Sequence, residues 1–159
     1  FFQKCVSALS PKFQEINVIT LKEGIYSVPD NVNVHSLGKK SANGKRMINK
    51  IKYSARFYRL VWSLRNEYDA IFVHMNQEYI LLSGILWKLL GKKIYMWRNH
   101  YSGSTLTDVA SLFCDKVFCT SIYSYTAKYK NKQITINSKI INILILNLLP
   151  YFIFSPLEI

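Results

Sequence analysis

The chain reads as an α/β protein built on a parallel sheet with helices on both faces. Three observations predict this. Short β-branched or apolar runs alternate with helical periods through the first 130 residues. "DAIFVHM" and "KKIYMW" are apolar almost throughout, as strands buried on both faces must be. Turn and cap residues separate the runs at βαβ spacing.

Phe2 to Leu9 reads as the end of a helix stopped near Ser10-Pro11. Glu15 to Leu21, "EINVITL", is short and β-branched, hence a strand. Asn31 to Leu37 alternates polar and apolar residues after the turn signal Pro29-Asp30-Asn31, and is a second strand. A long helix follows from about Lys45 to Asn66, where Met47, Ile51, Ala55, Tyr58 and Trp62 form one apolar stripe. Lys45, Lys52, Arg56 and Arg59 gather on an adjacent ridge.

Asp69 to Met75 is the third strand. Asn76 is placed to cap the next helix, with Glu78 opposing the dipole in its first turn and Gly91 as its C-terminal stop. The strand "KKIYMW" comes next, then a short helix from about Thr107 to Phe113. Lys116 to Ser121 forms another strand, and Ser121 is placed to cap a helix through about Lys130.

At 159 residues the chain suits one domain, which at this length buries roughly 70% of its unfolded surface. It opens on Phe and shows no signal peptide, so we expect a cut edge of something longer. Cys5, Cys114 and Cys119 make neither a disulfide framework nor a metal spacing, and read as reduced thiols of a cytosolic protein.

The net charge is +12, and no acid lies between Asp30 and Glu67. That field implies an anionic partner: nucleic acid, a phospholipid surface or a phosphate-bearing substrate. A merely solvated basic face accounts for the charge equally well.

In parallel sheets ligands bind beyond the carboxyl ends of the strands. The residues predicted there are Gly38-Lys39-Lys40, His74 to Gln77, Arg98 to Gly103, and Thr120-Ser121. His100 stands next to a cation and an amide, placed to hydrogen-bond a hydroxyl or steady developing charge. Its plainer role is a loop histidine bonded to backbone. Arg98 suits a phosphate clamp, or an ion pair with Asp108 or Asp115. Asn99 and Asn76 suit hydroxyl recognition, with helix capping the competing role for Asn76. Gly103, between Ser102 and Ser104, suits close approach of a ligand to backbone, or a plain turn.

From Asn131 the sequence becomes an Ile/Leu/Asn/Lys mixture without amphipathic period. The run "IINILILNLLPYFIF" is short for a membrane span. We therefore divide the chain into a domain, 1–130, and an irregular hydrophobic tail, 131–159. The tail reads as an anchor or, on composition, as AT-rich DNA translated out of frame.

"EYDAIFVHMNQEYILLSGILWKLLGKKIYMWRNHYSGS" followed by "SLFCDKVFCTSIYSYTAKY" resembles the N-terminal half of bacterial glycosyltransferases of the GT-B fold, family 4. The shared features are a strand ending in His, a buried helix, a "GKK" strand leading to a His, and a "D-x-V" strand, in that order. The resemblance covers most of 1–130 and none of the tail.

It implies a Rossmann-like, three-layer α/β/α half of a GT-B enzyme that holds the acceptor in a retaining, metal-independent transfer from a nucleotide sugar. No cofactor is implied beyond that donor co-substrate, and the setting implied is cytoplasmic, at or near the inner membrane face where envelope polysaccharide is made. His100 inherits the reaction-centre role. Arg98, Asn99 and Gly103 shape the acceptor side, with His74 and Asn76 lining the cleft. Lys52, Arg56 and Arg59 face anionic lipid headgroups or a phosphorylated acceptor.

Two departures matter. The family's first strand with its glycine-rich loop is expected before Phe1. The donor domain with its E-x7-E motif has no counterpart; Glu15 and Glu23 match that spacing by chance, bracketing a predicted strand. The chain alone is therefore expected to be inactive. The alternative is a non-enzymatic basic α/β module binding nucleic acid or anionic membrane through Lys39–Arg65; no nucleic acid is expected under the glycosyltransferase reading.

Overall fold

The structure, a computed structural model, describes residues 2–22, 24–39, 46–119, 121–132 and 142–147. The elements run α1 (Phe2–Leu9), a 3-10 turn (Ser10–Lys12), β1 (Glu15–Thr20), β2 (Val32–Ser36), α2 (Arg46–Ser63), β3 (Ala70–His74), α3 (Glu78–Leu89), β4 (Lys93–Trp97), α4 (Thr105–Phe113), β5 (Lys116–Phe118), a 3-10 stretch (Tyr125–Lys132) and β6 (Asn142–Asn147). The first five strands lie where the apolar runs put them. The helix expected from Ser121 to Lys130 is instead a 3-10 stretch kinked at Tyr129.

All six strands pair in parallel, in the order β2-β1-β6-β3-β4-β5. The fold is a Rossmann-like three-layer α/β/α sheet. One core cluster joins α2, α3 and α4 to one face through Phe57, Val61, Trp87, Ala110, Ile71 and Ile94. The other joins α1 to the opposite face through Val6, Ile16, Val18, Val32 and Ala70.

Two expectations are corrected here. The segment set apart as an irregular tail contributes, through 142–147, the central strand of the sheet. β6 pairs with β1 over Glu15–Thr20 and with β3 over Ala70–His74, so β2-β1 and β3-β4-β5 are joined by its ladders. Counted as the first strand, β6 completes a doubly wound order that reverses at its side. Four consecutive apolar residues, Ile143 to Leu146, are what a strand covered on both faces requires. Residues 133–141 and 148–159 lie outside the described set.

The second correction concerns α2. Ile51, Ala55, Tyr58 and Trp62 of the expected core stripe are exposed, and the side chain of Met47 lies outside the description. The core-facing side carries Phe57, Val61 and, just past the helix end, Leu64, flanked by Tyr53 and Leu60. The helix has two apolar stripes, and the sheet takes the one whose aromatic ring packs on Tyr79 and Trp87.

α3 ends as its glycine predicts. Gly91 adopts φ +69°, its N–H donates to the Lys88 carbonyl, and the Lys92 N–H donates to that of Trp87. This closes the last turn and delivers the chain into β4. Deeper in, the Trp87 indole N–H donates to the Tyr68 hydroxyl at 3.2 Å, and that hydroxyl donates to the Val61 carbonyl. Burial pushes the Tyr68 phenol up to about 12, opposed by the Trp87 hydrogen bond.

Candidate functional site

The strands end almost level. Ser36, Thr20, Asn147, His74, Trp97 and Phe118 stand side by side as the last paired row of the sheet. The segments just past this row form the carboxyl rim. The rim rule applied to the sequence found the ends of β2, β3, β4 and β5. It did not include Thr20, although "EINVIT" is read as a strand, and Asn147 stood in the supposed tail. Lys40 and Thr120 lie outside the described residues.

β3 ends on His74, which is buried and meets the Trp97 ring edge-on at 5.0 Å. Met75 then takes φ +63°, a left-handed conformation that side-chain-bearing residues rarely adopt. Its N–H donates to the Trp97 carbonyl at 2.6 Å, and its Sδ accepts the Asn99 N–H at 3.4 Å. The kink therefore ties the ends of β3 and β4 together. Asn76 is not the helix cap: Gln77 occupies that position, without a side-chain cap bond. The Asn76 carboxamide makes no hydrogen bond among the described residues.

Arg98 follows β4. Its N–H donates to the Phe118 carbonyl, and its own carbonyl accepts the Ser124 and Thr126 hydroxyls at 3.1 and 2.7 Å. One guanidinium arm, Nη2, donates to the Ser102 carbonyl at 3.0 Å, while Nε is buried without a partner among the described residues. Neither ion pair considered for Arg98 forms. Asp108 is taken by Lys128 at 2.9 Å and by the hydroxyls of Tyr125 and Tyr129. Asp115 is taken by Lys88 at 2.7 Å, Lys93 at 3.8 Å and the Ile94 N–H at 2.8 Å.

Asn99 and His100 are exposed on the same segment. The Ser102 N–H and hydroxyl approach His100 Nδ1 at 3.1 and 2.8 Å, and the ring stacks on Tyr101 at 4.7 Å. The Ser102 carbonyl lies 3.1 Å from the same Nδ1, so Ser102 engages that nitrogen in either tautomer, while Nε2 has no hydrogen-bond partner among the described residues. The loop is fixed from below, because the Tyr125 N–H donates to the His100 carbonyl at 2.9 Å.

Gly103 lies against Tyr125. A Cβ there would stand 2.1 Å from the ring, so the space that glycine leaves is filled by Tyr125. Across the rim, Gly38 at φ +73° is covered by Arg56, whose Nη1 donates to the Leu37 carbonyl at 2.8 Å. Arg56 thereby fastens α2 to the end of β2.

His74, Asn76, Arg98, Asn99, His100 and Gly103 thus gather on the ends of two adjacent strands. Lys52 and Arg59 stay outside, exposed on α2. No protein-family model, curated protein or solved structure matches this chain. Among the described residues, no helix is long and apolar enough to cross a membrane.

Among the described residues, the rim offers one guanidinium without a carboxylate partner, an imidazole whose Nε2 is unengaged and two carboxamides without a side-chain hydrogen bond. Those groups suit hydroxyl and phosphate oxygens, which accept from cations and amides.

Proposed function

We propose that this chain is the acceptor-binding half of a retaining, nucleotide-sugar-dependent glycosyltransferase of the GT-B type. The observation that supports it best is the cluster at the ends of β3 and β4. There Arg98 has no carboxylate partner among the described residues, and His100 carries an unengaged Nε2 on a loop fixed from beneath. In this reading His100 acts at the reaction centre, steadying charge as the leaving group departs. Arg98 holds an acceptor phosphate, and Asn76 and Asn99 read sugar hydroxyls. His74 supports the wall from the strand end. In this reading a second domain of the GT-B type binds the donor sugar, and the described residues contribute the acceptor side.

The test is a titration followed by imidazole NMR resonances. A panel of glycans and lipid-linked sugar phosphates is added to the full chain. Saturable shifts at His100, lost in Arg98→Ala for the phosphorylated acceptors, are expected. A chain that binds no member of the panel, or whose shifts avoid His100, overturns the reading. In an enzyme with both halves, His100→Ala should lower turnover far more than stability.

A further inference from the structure

Tyr125, Lys128 and Tyr129 lie on the 3-10 stretch after β5, where residues three apart stand one above the other. The Lys128 Nζ accordingly sits over the Tyr125 ring, 4.0 Å from its centre, and the Tyr129 ring at the kink comes within 5.2 Å of the same ammonium. A third wall is Asp108, in the first turn of α4, whose Oδ1 lies 2.9 Å from Nζ. Both tyrosine hydroxyls donate to this carboxylate, Tyr125 to Oδ2 at 3.0 Å and Tyr129 to Oδ1. Among the described residues, the other cations over rings meet one ring each and no carboxylate: Arg65 at Trp62, Lys92 at Tyr68 and Lys116 at Phe118.

Two electron-rich ring faces and a carboxylate around one cation are the chemistry by which proteins recognise substituted ammonium ligands. The walls stand without the lysine. The Tyr125 ring is seated on Gly103 and its N–H donates to the His100 carbonyl, while Asp108 fixes both tyrosine hydroxyls. Lys128 itself is loosely kept. Its side chain is 47% exposed and that of Asp108 38%, so theirs is a surface ion pair of small worth, and holding the long side chain in one rotamer costs entropy. Solvent reaches both groups, and the lysine is free to swing out. Hydrogen bonds to Asp108 first and to Tyr125 next hold the Lys128 ammonium above the ordinary lysine range, so these walls favour a cation over a neutral amine.

We propose that Tyr125, Tyr129 and Asp108 form a binding site for a small organic cation carrying a substituted ammonium, and that Lys128 occupies it in the free chain as an internal competitor. The ligand displaces the Lys128 side chain into solvent, turns its charge to the two rings and is balanced by Asp108. Tyr125 also underlies the Arg98–Gly103 loop, through its ring at Gly103 and its N–H at His100, so the occupant borders the carboxyl rim. The proposal does not rest on sugar transfer, and its assay contains no sugar.

The test is a titration of the full chain with choline, followed by the ring resonances of its tyrosines. The controls are the neutral alcohol that has carbon in place of choline's nitrogen, and sodium chloride at matched concentration. Saturable shifts at Tyr125 and Tyr129 with choline, absent with both controls, are expected. Lys128→Ala removes the competitor and should tighten choline binding about tenfold, because the site no longer has to open first. Within that variant, Tyr129→Leu and separately Asp108→Asn should each weaken binding about tenfold or more. Equal shifts with the neutral alcohol overturn the proposal. So do shifts that avoid both tyrosines, an affinity that Lys128→Ala leaves unchanged or lowers, or no shifts with choline even in Lys128→Ala. Should a variant not fold, the choline shifts of the unaltered chain, set against the neutral alcohol, decide alone.

Discussion

The two ends of the sheet treat their polar groups in opposite ways. At the amino end, Asp115 collects Lys88, Lys93 and the Ile94 N–H, and Gly91 closes α3 just before β4 begins. At the carboxyl end, among the described residues, Arg98 meets no carboxylate and the Asn76 carboxamide makes no hydrogen bond, and the backbone at Met75 is left-handed. Polar groups that answer one another staple a fold. Groups held in place without such partners are available to a ligand, and a left-handed backbone beside them motivates a hypothesis of function.

That contrast is breakable by mutation. The largest effect is expected at the amino end. Asp115→Ala removes the acceptor of the Ile94 N–H along with two ion-pair partners, and should cost about 2 kcal/mol in urea unfolding. The same residue gives a pH signature. Part-burial of Asp115 works against its ionisation, but Lys88, the Ile94 N–H and Lys93 outweigh it and hold the carboxyl below its ordinary range. A carboxyl lowered in the folded state stabilises fully above its unfolded pKa of about 4, and that stability fades as pH falls towards the lower folded value. Acid titration of Asp115→Asn should therefore show a shallower loss below pH about 4 than the parent; an identical curve would remove Asp115 from the amino-end staple.

Gly91→Ala should act less strongly. A Cβ there meets nothing within 4 Å, so only the left-handed backbone opposes it, at about 1 kcal/mol. The smallest effect belongs to the carboxyl end. His100→Ala should change stability by less than about 0.5 kcal/mol, since the ring is exposed and the loop is held through its backbone. A loss of 2 kcal/mol there would make His100 a staple too, and the contrast between the ends would fail.

Much of this was legible in the residues. The apolar runs at 70–75 and 92–97 gave their strands because parallel strands buried on both faces leave no polar position. The same criterion applies to Ile143–Leu146, yet that run was obscured by the Asn- and Lys-rich sequence around it. Local composition argued for a tail, and only pairing with β1 and β3 overrides it. The inward side of α2 was illegible for another reason. Ile51, Ala55, Tyr58 and Trp62 recur as regularly as Phe57, Val61 and Leu64, and periodicity alone does not say which stripe meets a sheet. At the rim, residue types and strand ends located Arg98 and His100. The use of Gly103 was not visible, because Tyr125, which fills its space, is brought there by the turn after β5.

The position of β6 also sets a schedule. Glu15 pairs with Asn142, a partner far along the sequence, so among the described strands the one in the middle of the sheet is made last. During synthesis β1 and β3 emerge first and wait, each with one hydrogen-bonding edge open, until residues 142–147 clear the ribosome. Pairings of such sequence separation form slowly, and open edges recruit other chains. The nascent protein thus passes through an interval in which the hydrogen-bonding edges at the middle of its sheet stand open.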